Sequence, residues 1–430
     1  MDKMRIWLIN PYGPIPNESW RDYSFAIMAD ALVQAGHDVI WWTSNFSHHF
    51  KKYRSSGWAD VRVKEHFKIR LVPTPSYKHN VSIRRFIRDA VFSYRTYVRG
   101  KELSSPDCIV YYESPLSFGY AGQKLAQFHG CPVVYDQMDL WPELIEKVFP
   151  QQLQSLVRLI FRPVYKNRKN VYARLDGAIG LAQSYLDVML RDAPVLRSRP
   201  YTVIYNGIDV EAFRAKLKKN SFPEGVLPPK GEGEMWAVFA GSLGPSYDIP
   251  TLLKVAKKLQ GSTSKLRIIV AGDGPLRPQV AQFVLENNHS RLHYTRQLAP
   301  EELIALYNIC DIGLCAYSAT SNVEMPDKIY DYTAAGLPVV NSLRGEVSKV
   351  ISEKQLGLQY QPGDSHDLLE KLERLADDGA MRAQMAKNSF DAGMMYDRHL
   401  QYGKLVEIIE KICTQKSDLN KVLFNKHALV

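Results

Sequence analysis

The segment Glu324-Met325-Pro326-Asp327-Lys328-Ile329-Tyr330-Asp331-Tyr332 holds the densest set of chemically capable side chains in the sequence. Asp327 and Asp331 are one turn apart, so a helix starting near Asp327 puts both carboxylates on one face. A carboxylate there can grip a diol, and Lys328 can meet a diphosphate. The same residues also read as a helix cap with a surface ion pair. Two glycine loops offer a different chemistry. Gly241-Ser242-Leu243-Gly244 follows an expected strand and precedes an expected helix, which turns backbone N–H groups toward a phosphate at a positive helix terminus. Ala271-Gly272-Asp273-Gly274-Pro275 closes the next expected strand. Its glycines let a backbone approach a flat ligand and Asp273 can orient that ligand, although such a run is also an ordinary tight turn.

These loops need strands and helices to hold them. Arg5 to Asn10 reads as a buried strand, followed by the loop Pro11-Tyr12-Gly13-Pro14-Ile15-Pro16, a helical pattern through Phe25, Met28, Ala29, Leu32 and Val33, and a strand from Asp38 to Trp42. Further strands are expected at 69–72, 108–111, 132–135, 178–180 and 201–205, giving a doubly wound parallel sheet. Residues 216–234, rich in Pro, Gly and charge, have the composition of a linker. A second alternation follows, with strands at 236–240, 266–271, 312–314 and 338–340 and helices at 251–259, 301–307 and 327–335; two later helices are expected at 368–387 and 398–411. The expectation is two α/β halves whose ligands sit beyond the carboxyl ends of the strands, in a cleft lined by loops from both.

Composition narrows the classes. A chain of 430 residues with 45% hydrophobic side chains can bury two or three domain cores, which excludes disorder and a small disulfide scaffold. Five scattered cysteines, without a zinc spacing, read as reduced thiols of a cytosolic protein. The apolar run at 6–9 is too short for a signal-peptide core, and no segment approaches the length that spans a bilayer. The formal net charge of +10 is concentrated in residues 1–210, which carry 28 Lys and Arg against 19 Asp and Glu. Two basic helical patterns lie there. One sets Ile83, Phe86, Ile87, Ala90, Val91, Tyr94 and Val98 against Arg84, Arg88, Arg95 and Arg99; the other sets Leu153, Leu156, Val157, Ile160, Phe161 and Val164 against Arg158, Arg162, Lys166 and Lys169. Either these helices rest on anionic lipid headgroups, or their apolar stripes face the core and the charges are solvated. Nucleic acid is not an expected partner, because no zinc-finger, RNP-like or helix-turn-helix pattern occurs. His48, His49, Lys51, Lys52 and Arg54 read as a solvated polar loop that could touch an anionic acceptor.

The order of motifs resembles glycosyltransferase family 4. It runs through Asn206-Gly207-Ile208-Asp209, Gly241-Ser242-Leu243, Gly272-Asp273-Gly274-Pro275, Glu301-Glu302-Leu303 and Asp331 with Ala335-Gly336-Leu337-Pro338-Val339, and extends to Gly345-Glu346 and Pro362-Gly363-Asp364. Asp139-Leu140-Trp141-Pro142-Glu143 looks like the subgroup that builds bacterial surface polysaccharides. The resemblance implies the GT-B architecture: an N-terminal acceptor-binding Rossmann-like domain (1–215), a linker (216–234), a nucleotide-sugar-binding domain (235–395), and a final helix (396–430) crossing back to the first domain. It implies a retaining transferase of the EC 2.4 class that uses a nucleotide diphosphate sugar as donor, with no cofactor and no bound metal. A saccharide or lipid-linked acceptor at the cytoplasmic face of a membrane would give the basic half its reason. Two rivals are a sugar-nucleotide epimerase of the same fold and a non-catalytic sugar-nucleotide-binding assembly protein.

Within that resemblance Asp331 occupies the second acidic position of the family's pair and would bind the donor ribose, while Asp273 would sit near the base. The first acidic position falls on Val323; Glu324 is one residue out of register, and Asp327 and Lys328 resemble the subgroup's Pro-x-Lys variant. The family's Arg and Lys for the diphosphate are replaced by Ser242 and, around the Lys site, by Tyr247 and Asp248, so Lys328 and Arg344 carry that charge. Met138 stands where the family has a His, flanked by Asp136 and Asp139, which are assigned to the acceptor or donor-sugar side. Peptide N–H groups of the Gly13 and Gly241 loops, with Lys328, would stabilise the leaving diphosphate, and that phosphate would help deprotonate the acceptor hydroxyl on the same face.

Overall fold

The computed structural model describes residues 3–16, 18, 23–80, 82–112, 120–146, 149–287 and 291–427, with side chains described as far as residue 416. The chain divides into two compact units, Met1–Ile204 with Tyr402–Val430, and Tyr205–Gln401.

The first unit is built on the strands β1 (Arg5–Ile9), β2 (Asp38–Ser44), β3 (Ala59–Lys64), β4 (Phe67–Val72), β5 (Cys108–Tyr111), β6 (Val133–Gln137), β7 (Gly177–Gly180) and β8 (Tyr201–Val203). They form one sheet in the order β3-β4-β2-β1-β5-β6-β7-β8, parallel except for the antiparallel edge pair β3-β4. Its central strands are apolar along nearly their whole length because helices cover both faces. The chain fills one side of β1 and then the other, so the order reverses between β1 and β5.

The second unit contains β9 (Met235–Ala240), β10 (Leu266–Ala271), β11 (Leu292–Arg296), β12 (Ile312–Cys315), β13 (Val339–Asn341) and β14 (Gly357–Gln359). These form an all-parallel sheet in the order β11-β10-β9-β12-β13-β14, with the reversal between β9 and β12. Both units are thus Rossmann-like. Strands β3, β11 and β14 are absent from the sequence reading. The polar alternation of β3 and β11 and the three-residue length of β14 leave little apolar signal to detect.

The division between units falls before the expected linker. Helix Val210–Lys219 takes up the start of 216–234, and Phe213 stacks on Tyr307 with ring centroids 6.3 Å apart, which ties it to the second unit. The last helix, Arg398–His427, starts in the second unit. From Tyr402 onward it belongs to the first, where Tyr402, Leu405, Ile408, Ile409 and Ile412 join the buried core; residues 428–430 lie outside the described residues.

The two basic helices face opposite to the core-packing expectation. In Ile83–Gly100, Ile83 is 78% exposed and Ile87, Tyr94 and Val98 are also exposed, while Arg88, Asp89, Phe92, Ser93 and Thr96 are buried. Arg88 therefore leaves the solvated face on which periodicity set it. Its burial is tolerated because Asp89 pairs with it at 2.7 Å and the Pro11 carbonyl accepts from it at 2.6 Å. In Gln151–Ile160 only Val157 is buried; Leu153, Leu156, Leu159 and Ile160 are exposed. No helix among the described residues is long and apolar enough to cross a membrane, and all five cysteines are free.

Candidate active site

Ligands of open α/β sheets bind beyond the carboxyl ends of the strands where the order reverses. In the second unit that point lies between the loops after β9 and β12, and Lys328 is there. It is the second residue of helix Asp327–Ala335, whose backbone starts after Pro326 and stops at left-handed Gly336. Its Nζ lies 4.3 Å from the ring centroid of Tyr247, 4.8 Å from Phe239 and 5.3 Å from Tyr317, and the residue is buried. Three ring faces stand in for water around the ammonium, each contributing about 0.5–2 kcal/mol. Gly241 has φ +138°, and a Cβ there would come within 2.6 Å of Lys328 Nζ. The glycine thus keeps open the space that the ammonium occupies. Tyr247, one of the residues at the family's Lys site, has become a wall around a lysine supplied by another helix.

The glycines of the next loop serve a different end from the one expected. A Cβ on Gly272 would lie 1.8 Å from the Gly241 carbonyl oxygen, and one on Gly274 would lie 2.8 Å from that of Leu243. Gly272 and Gly274 therefore let two loop backbones press together. The bonds between them use the N–H of Gly241, which donates to Ala271, and the N–H of Leu243, which donates to Asp273, both at 2.9 Å. Those two N–H groups are not available to a phosphate, and the Leu243 side chain is buried in the core. Ser242 stays exposed between them. The helix Ile249–Leu259 begins behind Asp248, whose buried carboxylate accepts from Thr251, Tyr360 and the Gly363 N–H at 2.6, 3.2 and 2.8 Å. The Asp248 side chain therefore already occupies that helix start, where a phosphate was expected.

Asp273 holds its own turn by accepting from the Gly274 N–H at 2.7 Å and lies 3.4 Å from Arg277; Asp273 and Pro275 are exposed. Asp327 and Asp331 occupy different environments despite their spacing. Asp327 is exposed, 3.5 Å from Asn206 Nδ2, whereas Asp331 is buried and accepts from the Tyr307 hydroxyl at 3.4 Å. Glu324 accepts from the Glu346 N–H at 3.0 Å, at the start of helix Glu346–Glu353, and a Cβ on Gly345 would strike its carboxylate. That out-of-register acid is committed to capping a helix. Arg344 is exposed on the loop after β13.

In the first unit the reversal between β1 and β5 brings together the Asn10–Gly13 loop and Tyr112, with Asp136 and Asp139 at the end of neighbouring β6. Asp136 is buried, and burial raises its carboxyl pKa to about 7. Burial also pushes Asp139 up, while the Tyr112 hydroxyl, donating to it at 3.1 Å, and Arg85 pull it down. Met138 sulfur lies 3.7 Å from the Tyr23 hydroxyl and 3.8 Å from Asn10 Nδ2. Gly13 has φ +88° and no room for a side chain, since a Cβ would enter the Tyr23 ring; its carbonyl accepts from Arg54 at 2.7 Å. Glu143, at the end of the Asp139 motif, pairs with buried Arg168 at 2.7 Å, and Arg168 also pairs with Asp192 at 2.6 Å. Of the two motif acids, Asp139 lies at the carboxyl edge of the sheet and Glu143 braces the scaffold. Among the described residues no group of three or more His, Cys, Asp or Glu could hold a metal ion.

Residues 24–212 match Glycosyltransferase Family 4, and residues 228–391 match Glycosyl transferases group 1. The chain belongs with the GT-B glycosyltransferases. This glycosyltransferase shares its fold with a sucrose-phosphate synthase from Thermosynechococcus elongatus (TM-score 0.65, 18% identity, 99% of this chain and 100% of that one). It also resembles Anabaena HepE, solved in complex with UDP and glucose (TM-score 0.63, 15% identity, 95% and 100%). A chitobiosyldiphosphodolichol beta-mannosyltransferase of Candida glabrata is 26% identical over 198 residues, a match that spans 43% of this chain and 42% of that enzyme. The relatives bearing that name are yeast and human proteins, among others, whereas the Asp139 motif pointed to a bacterial subgroup.

Proposed function

We propose that this glycosyltransferase moves a sugar from a nucleotide diphosphate donor to a saccharide acceptor carried on a lipid, in polysaccharide or glycolipid synthesis. The observation that carries the reading is the caged ammonium of Lys328 at the strand reversal of the second sheet, a fixed positive charge where a nucleotide ligand of such a sheet belongs. Lys328 and Arg344 take up the charge of the leaving diphosphate without a metal ion, Asp331 holds the ribose with Tyr307 fixing its orientation, and Asp273 lies on the base side. Asp139 and Asp136 serve the acceptor side. In the transfer, the bond from the anomeric carbon to the β-phosphate oxygen breaks with its electron pair leaving on the phosphate. The acceptor oxygen bonds to that carbon on the same face, and its proton passes to the departing phosphate, so the anomeric configuration is retained.

Inversion is the second reading, and Asp136 favours it. A buried carboxyl titrating near neutrality is suited to accept the acceptor proton as a general base, a role that retention by the leaving phosphate does not require. Proton NMR of the fresh product decides: the donor's anomeric configuration in the product supports retention, the opposite one supports Asp136 as base.

The exposed apolar ridges of Ile83–Gly100 and Gln151–Ile160, with exposed Arg84, Arg95, Arg99, Arg158 and Arg162, suit an anionic membrane surface. The enzyme is then peripheral at the cytoplasmic leaflet. Flotation with anionic vesicles should exceed that with neutral ones, and equal partitioning removes the membrane. A screen of sugar nucleotides for protection against thermal unfolding tests the donor site itself, since a ligand raises stability only where it binds the native state. Turnover with an acceptor extract then separates a transferase from an epimerase or a binding protein.

A further inference from the structure

The carboxyl edge of the first sheet carries a group of cations that the transfer chemistry leaves unused. Lys51, in the loop after β2, and Arg85 and Arg88, in the opening turns of Ile83–Gly100, gather around the rings of Tyr12 and Tyr77. Arg88 Cζ lies 4.9 Å and Arg85 Cζ 5.1 Å from the Tyr12 ring centroid, and Lys51 Nζ lies 4.4 Å from that of Tyr77. Asn80 joins two of them, its side-chain oxygen accepting from Lys51 at 2.6 Å and its carbonyl from Arg85 at 2.9 Å.

The compensation within this group is incomplete. Asp89 pairs with Arg88 at 2.7 Å and accepts from the Tyr12 hydroxyl at 2.5 Å, and among the described residues neither Lys51 nor Arg85 forms a salt bridge with a carboxylate. Burial and the two arginines hold the Lys51 ammonium below its ordinary pKa, and burial with the same cations pushes His48 down to about 3, so His48 stays neutral. Lys51 is held in the left-handed region at φ +55°, a conformation that costs a non-glycine residue energy and that clusters at ligand sites. Arg85 spends Nε on the Tyr12 hydroxyl and Nη1 on Asn80, and its Nη2 makes no hydrogen bond among the described residues. Like charges gathered at such expense suit an anion.

The position of the group says which anion. Arg85 lies 5.8 Å from the Trp141 ring centroid, Trp141 donates to the Tyr112 hydroxyl at 3.3 Å, and that hydroxyl donates to Asp139. The cations therefore adjoin Asp139, one of the acids assigned to the acceptor.

We propose that Arg85 and Lys51 bind a phosphate ester or diphosphate on the acceptor, so that this glycosyltransferase takes a phosphorylated saccharide and discriminates against a neutral one. The proposal rests on the reading of the first unit as the acceptor side. The test is calorimetric binding to the full chain, with UDP and GDP both present to fill the donor edge. The probes are a hexose phosphate, a short-chain polyprenyl diphosphate saccharide, and the corresponding unphosphorylated saccharides.

Phosphorylated probes should bind at least tenfold more tightly than neutral ones. Arg85→Gln and, separately, Lys51→Gln should each cost about tenfold, with a shallower salt dependence, while Arg62→Gln, exposed on the edge strand β3, changes nothing. Lys51 is at the surface, so its variant keeps the test valid if the Arg85 variant folds poorly. Binding of the polyprenyl probe alone assigns the phosphate to a lipid-linked acceptor, binding of the hexose phosphate assigns it to a soluble one, and either supports the site. Equal affinity for neutral probes, or phosphorylated probes bound equally well by both variants, overturns it. Because binding is read without turnover, absence of transferase activity contradicts the proposed function and not this site.

Discussion

The two carboxyl edges answer the same topology in opposite ways. In each unit the strand order reverses beside the first strand of the sheet, and titratable side chains collect there. At the second edge a single ammonium sits among three aromatic rings, with a glycine clearing its path. At the first edge the cations around Tyr12 and Tyr77 stand to one side of the buried carboxyls of β6, and burial brings the Asp136 carboxyl up to about 7. A charge that must persist while a diphosphate departs gains from ring faces that stabilise it. A group that is to exchange a proton gains from burial that brings its pKa to the working pH. On the proposed function, the second edge holds charge and the first exchanges a proton.

Breaking the second edge should have the largest effect. Lys328→Met should lower kcat about 10³-fold, in the range found when a donor to a developing anion is removed, whereas a near-normal rate in steady-state assays would erase the contrast. The first edge should reveal itself through pH. The carboxyl of Asp136 has a folded pKa of about 7 against an ordinary value of 3.8, so the native state binds more protons than the unfolded chain in that window. Its contribution to stability is therefore greatest below about pH 4 and is lost as pH rises toward 7, by at most about 4 kcal/mol. Asp136→Asn should flatten that slope in denaturant titrations; an unchanged slope would mean that burial does not perturb this carboxyl. Tyr247→Leu sharpens the comparison by removing one ring from the cage and should weaken donor binding about tenfold, at a cost of 1–2 kcal/mol. The smallest effect belongs to Glu324→Gln. It should lower stability by about 1 kcal/mol through the weakened helix cap and leave kcat unchanged, and a collapse of kcat would restore Glu324 to the chemistry.

Much of the fold was legible because βα alternation writes itself as apolar runs bounded by turn residues. Helix Asp327–Ala335 could be read to its ends from Pro326 and Gly336. The faces of Ile83–Gly100 could not, because periodicity identifies an apolar stripe without saying which side the sheet covers, and here a paired Arg88 went inward. Lys328 was legible as the cation, but its cage was not: Phe239, Tyr247 and Tyr317 lie on three separate segments that only the sheet brings together. The glycines of 272 and 274 were legible as close-approach positions. What approached them was a neighbouring loop, which local sequence does not encode.

The most direct test of the caged lysine is a calorimetric comparison of nucleoside diphosphate and monophosphate binding, with uridine and guanosine forms, in the parent chain and in Lys328→Met. The parent chain should prefer one diphosphate over its monophosphate at least tenfold, and the substitution should abolish this preference while the monophosphate binds as before. A preference that survives the loss of Lys328 would show that another group holds the second phosphate, and the account would be wrong at its centre.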